Sequence, residues 1–84
     1  MDVSGDLLSR IEVNPEVFGG KPTLKGHRVA VEHILGLLAA GESVDHILLE
    51  YDFLKRADIQ ACLLYAHRTL QGEAVHTRLV QTGP

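Results

Sequence analysis

The sequence predicts a mainly α domain: a short N-terminal β-strand and hairpin, followed by three helices in a compact bundle whose last two have helix-turn-helix spacing. Three observations carry this prediction. From Val31 onward, apolar residues recur at helical spacing in three successive segments. Ser9-Arg10-Ile11-Glu12-Val13 alternates with the period of a half-buried strand. Between the two lies Gly19 to Glu32, which holds three glycines, one proline and three fixed positive charges, the composition of a shaped loop.

The elements follow in order. Residues 1–8 show no pattern and are expected to be a flexible N-terminus. After the strand, Asn14-Pro15 supplies turn chemistry, and Val17 and Phe18 are placed to anchor the loop to the core. Pro22 to Leu24 against Arg28 to Ala30 reads as a hairpin turning at Lys25-Gly26-His27. The first helix is predicted over Val31 to Ala40, with Val31, Ile34, Leu35 and Leu38 as its inward stripe and Gly41 as its C-terminal cap. The second begins with Ser43 as N-cap and Asp45 in its first turn, and turns Val44, Ile47, Leu48 and Tyr51 inward. The third is predicted over Lys55 to Leu70, with Ile59, Cys62, Leu63, Ala66 and Leu70 inward and Gly72 as its stop. This gives one domain over 9–72 and a C-terminal tail over 73–84.

Composition narrows the function. The chain has 84 residues, enough for one small domain. A single cysteine, Cys62, rules out an intrachain disulfide and reads as a small core residue. There is no basic start before an apolar run, and no apolar run approaches a membrane span, so a cytoplasmic protein that does not enter a membrane is expected. The net charge is −3, but unevenly spread. Glu32, Glu42, Asp45, Glu50 and Asp52 make residues 32–54 acidic without one base, whereas Lys55, Arg56 and Arg68 face only Asp58 in residues 55–71. An acidic middle between more basic elements suits self-association, a protein partner or DNA.

Four features bear on function, each with an ordinary structural explanation beside it. If the last two helices bind DNA, the third is the reader and offers Lys55, Arg56, Gln60 and Arg68, with His67, to phosphates and base edges. Asp58 works against them, Leu64 on the same face suits a protein interface, and a solvated outer face explains the residues equally. Lys21, Lys25 and Arg28 form a basic loop able to hold a partner or a phosphate, although a plain hairpin accounts for its glycines. It is no P-loop, because Pro22 stands where a serine or threonine belongs. Val75, Leu79 and Val80 in the tail would dock on a partner, or the tail is simply a loose terminus. Glu42, His46 and Glu50 share a helix face at metal-ligand spacing but lack ligands from a second element, so no metal and no cofactor are expected. Neither a nucleophile elbow nor a carboxylate pair is present, and no enzyme is expected.

One resemblance covers about residues 9–67. Ile11-x-x-Asn14-Pro15-Glu16-Val17-Phe18-Gly19-Gly20-Lys21-Pro22, Lys25-Gly26-His27-Arg28-Val29-x-Val31-Glu32, Ala40-Gly41-Glu42-Ser43 and Glu50-Tyr51-x-x-Leu54-x-x-x-Asp58-Ile59 strongly resemble domain-of-unknown-function family 433. The resemblance implies a homeodomain-like helix-turn-helix fold and an antitoxin-like, prokaryotic protein, often encoded beside a PIN-like ribonuclease toxin. It carries no catalytic residues. The chain departs from the family pattern at Phe18, where cysteine is common, at His27 for threonine, at Asp52 for proline, and at Lys55 for the serine or threonine that would cap the third helix. The expectation is therefore an antitoxin-like regulator in a toxin-antitoxin system that dimerises, with the edge of the N-terminal strand as the candidate contact, touches operator DNA and covers a toxin. The alternative is a protein-interaction module that binds no DNA.

Overall fold

The computed structural model describes residues 3–78, in the order α1 (Val3–Leu8), β1 (Ile11–Val13), β2 (Pro22–Leu24), α2 (Val31–Ala39), α3 (Val44–Glu50) and α4 (Arg56–Arg78). The described residues are thus mainly helical, with a short antiparallel pair of strands near the N-terminus.

The strand pairing differs from the prediction. β2 takes β1 as its main partner, in the register Ile11↔Leu24, Glu12↔Thr23 and Val13↔Pro22. The expected partner, Arg28 to Ala30, contributes one antiparallel bridge between Thr23 and Ala30 and one hydrogen bond from the Leu24 amide to the Val29 carbonyl. β1 therefore does not stand unpaired, since one of its edges is filled by β2.

The loop between the strands makes this possible. The Asn14 side chain accepts from the Glu16 amide, and the Val17 amide donates to the Asn14 carbonyl, a turn with Pro15 at its second position. Phe18, Gly19 and Gly20 then all have positive φ, so the chain makes a left-handed turn that reverses it toward β2. Phe18 is 47% exposed and does not anchor the core. Its backbone is held by the geometry of this turn, with the Gly20 amide bonded to the Val17 carbonyl.

α2 and α3 follow the predicted stripes. Val31 and Ile34 are buried, with Leu35 and Leu38 packed against the core, and Ile47 is buried with Val44, Leu48 and Tyr51 beside it. α2 ends at Gly41, which has φ +98°. The Glu42 amide bonds to the Leu37 carbonyl and the Gly41 amide to the Leu38 carbonyl, the paired bonds of a Schellman cap. Ser43 Oγ accepts from the His46 amide at 3.0 Å, the predicted N-cap of α3.

α4 corrects the prediction in two ways. It runs through Gly72 to Arg78, so the third helix does not stop where a glycine invites a stop. Its inward face is also rotated. Asp58, Ile59, Ala61 and Cys62 are buried and Tyr65 packs against the core, whereas Leu63 and Leu70, expected inside, are 49% and 63% exposed. Where no element was expected, α1 forms and packs against α4. The core of Leu24, Val29, Val31, Ile34, Ile47, Leu54, Ile59 and Cys62 thus joins β2, α2, α3 and the first two turns of α4.

Candidate partner surface and basic cleft

The start of α4 lacks the capping hydroxyl, and Asp58 supplies part of its function. Asp58 Oδ2 accepts from the Lys55 amide at 2.8 Å, reaching back from the third helical position to the residue before the helix. Its Oδ1 accepts from Arg10 Nη1 at 3.0 Å. Asp58 is 7% exposed, so its charge is spent inside the fold on Arg10 and the helix start. It does not oppose the bases of the outer face, as the sequence alone suggested.

The four residues expected to read DNA do not form one surface. Lys55, Arg56 and Gln60 lie exposed at the start of α4, and Arg56 pairs with Asp45 on the surface of α3. Arg68 lies twelve positions beyond Arg56, about 18 Å along the helix and turned by roughly 120°. It lines a different groove, with Leu8, Ile11, Val13, Tyr65 and Thr69. The outer stripe of α4 instead reads Arg56, Gln60, Leu63, His67 and Leu70, all exposed. Leu64, expected on that face, is half-buried, and Leu63 takes its place.

The basic loop is likewise dispersed. Lys21 Nζ donates to Glu32 Oε2 at 3.0 Å. Arg28 lines a groove with Phe18, His33 and Tyr51, where His33 Nε2 lies 2.9 Å from the Tyr51 hydroxyl. Lys25 alone meets a residue of the predicted reading helix: it lines one polar cleft with Lys55, Arg10, His27, Phe53 and Asp58. Nothing in the sequence pairs positions 25 and 55, because the contact depends on how the β2–α2 turn settles against α4. In the tail, Val75 falls on the backbone of α4, and Leu79 and Val80 lie outside the described residues.

Two further side chains have shifted protonation. The His46 imidazole is raised above 6.5, first by its hydrogen bond to Glu42, then by the charge of Glu42, with a smaller contribution from Glu50. Burial pushes the Cys62 thiol up to about 12, helped by the charge of Asp58, so it stays a protonated core thiol at neutral pH. Among the described residues no group of three or more His, Cys, Asp or Glu comes together to hold a metal ion. Glu42 and His46 do meet, but as an ion pair on one helix end.

The profile of the family described as "Protein of unknown function (DUF433)" matches residues 11–66, well over half of the chain. The chain belongs to the DUF433 family. The crystal structure of a DUF433 member protein from Anabaena variabilis ATCC 29413 superposes with a TM-score of 0.72 at 22% sequence identity, covering 81% of this chain and 67% of that one. At that identity the likeness speaks for the fold. No protein with a curated description matches the chain. Among the described residues no helix is long and apolar enough to cross a membrane.

The match has a structural rationale. Asn14-Pro15, Gly19-Gly20, Lys25-Gly26 and Gly41 all fall in the matched span, and they form the turns that bring β1 to β2 and cap α2 in this DUF433 chain. Lys25 and Gly26 are the central residues of a turn closed by the His27 amide on the Leu24 carbonyl at 2.9 Å, with φ +83° at Gly26. That is the pattern of a type II turn, which favours glycine at its third position.

Proposed function

We propose that this DUF433 protein is the antitoxin-type half of a two-protein system, a non-enzymatic homodimeric partner that covers a PIN-like ribonuclease toxin encoded beside it. The observation that carries this reading is the exposed apolar stripe of α4. Leu63 and Leu70, seven residues apart on one side of the helix, are 49% and 63% exposed. α4 also continues for thirteen residues, about 20 Å, past Tyr65, the last residue packed on the core among those whose burial is described. Exposed leucines on a helix that outruns its own core suit a groove on another protein. The test is co-purification with the neighbouring gene product for the wild type and Leu63→Asp/Leu70→Asp, with circular dichroism confirming that the variant folds. Loss of the complex in the folded variant is the expected result, and an unchanged complex removes this surface.

The same reading includes operator contact through the start of α4, with α3 and α4 as the helix-turn-helix. What favours it is Asp58, whose charge is consumed inside the fold beside Lys55. Reversing Lys55 and Arg56 to glutamate is expected to abolish binding to promoter fragments, and wild-type affinity is expected to fall with salt. Salt-independent binding overturns contact through these charges, and binding to no promoter fragment leaves a protein-interaction module without DNA.

A further inference from the structure

The cleft that joins Lys25 to Lys55 gathers two lysines, an arginine, a histidine and an aromatic ring. Its volume is about 320 Å³ and its walls are polar, formed by Arg10, Lys25, His27, Phe53, Lys55 and Asp58, with Ser9 at the rim. Its walls are fixed. The Lys25 amide donates to the Arg10 carbonyl at 2.7 Å, tying the turn to the start of β1. The carboxylate of Asp58 is occupied on both oxygens, by Arg10 and by the Lys55 amide. The Phe53 ring lies 4.6 Å from the His27 ring, tilted by 35°, and stays 48% exposed.

The cations differ from those elsewhere. Lys21 and Arg56 each have a carboxylate partner. Among the described residues no carboxylate lies within ion-pair distance of the Lys25 or Lys55 ammonium. Two lysines without an ion-pair partner line this one cleft, and an anion held between two ammonium groups is attracted by both. A flat aromatic face beside them accepts a base or a sugar.

From this we infer that the cleft is a phosphate-ester site, with Lys25 and Lys55 on the phosphate oxygens and Phe53 against the adjoining nucleoside, and that the ester is a nucleic-acid backbone. The inference rests on the operator-contact reading for the source of the phosphate, and on the cleft alone for its chemistry. It widens the footprint from one helix to the β2–α2 turn.

The experiment uses the full chain, isotope-labelled, with a labelled DNA duplex, adenosine monophosphate and inorganic phosphate as probes, and compares Lys25→Ala/Lys55→Ala with Lys21→Ala. All three positions are exposed, so the variants are expected to fold. The double variant is expected to lose roughly tenfold or more in duplex affinity, and its salt slope to fall by about two, while Lys21→Ala changes neither. Duplex binding that is indifferent to the double variant overturns the site and leaves operator contact standing. If the duplex does not bind, but the mononucleotide shifts the amide resonances of residues 25–27 and 53–55 in the wild type and not in the double variant, the site stands with a nucleotide as its source and operator contact falls. Silence of those amides toward all three probes overturns the site, and it overturns operator contact as well when the duplex shifts no other amide.

Discussion

At the scale of single residues, Asp58 binds two segments that are distant in sequence. It closes the start of α4 and holds Arg10, forty-eight residues earlier, beside it. Asp58→Ala removes the helix-start acceptor and leaves Arg10 half-buried without its counter-charge, so a loss of about 2 kcal/mol in urea unfolding is expected. Asp58→Asn, which keeps one acceptor oxygen, is expected to lose less. His46 gives a second residue-scale test. Its imidazole is raised by Glu42, so proton titration by NMR is expected to place it above 6.5 in the wild type and lower in Glu42→Gln. The sign for stability follows. A raised folded-state value means that the contribution is complete below 6.5 and fades as the pH rises through the folded value. Cys62, buried and pushed up to about 12, is expected to react with a thiol reagent only on unfolding.

At the scale of elements, the two glycines that the sequence treats alike behave oppositely. Gly41 sits at φ +98° in the cap of α2, and Gly41→Ala is expected to destabilise by about 1 kcal/mol. Gly72 is exposed in mid-helix, and a methyl group there would meet nothing within 4 Å, so Gly72→Ala is expected to stabilise by about 0.5–1 kcal/mol. Thermal melts of the two variants therefore shift in opposite directions, and a downward shift for Gly72→Ala would contradict the helix through 72. These cases also mark what the sequence can say. α2 and α3 are legible because stripe and caps agree: Val31, Ile34, Ile47, Ser43 and Gly41 each point to the same boundaries. The end of α4 is not, because a helical glycine costs only about 1 kcal/mol and a long helix absorbs it. α1 is not, because six residues cannot hold a helix alone and this one forms on α4. The partner of β2 is not, because β1 and Arg28 to Ala30 carry equally good strand patterns and only the left-handed turn at Phe18-Gly19-Gly20 brings β1 into register. The candidate site is legible as a set of residues and not as a place: Lys25 joins Lys55, while Lys21, Arg28 and Arg68 go elsewhere.

At the scale of the molecule, the fold separates two surfaces on one helix. The start of α4 carries unpaired charge in the cleft with the β2–α2 turn, and its outer stripe beyond Gln60 carries Leu63 and Leu70. A protein of the proposed kind, touching a nucleic acid and a protein at once, would need such a division. The central claim is that the outer stripe of α4 is covered by a protein partner. Co-expression with the product of the adjacent gene, followed by size exclusion with mass detection, tests it most directly. Co-elution at a fixed stoichiometry that Leu63→Asp/Leu70→Asp abolishes is the predicted result. A wild-type chain that elutes without that product, or a complex that survives the substitutions, contradicts the claim.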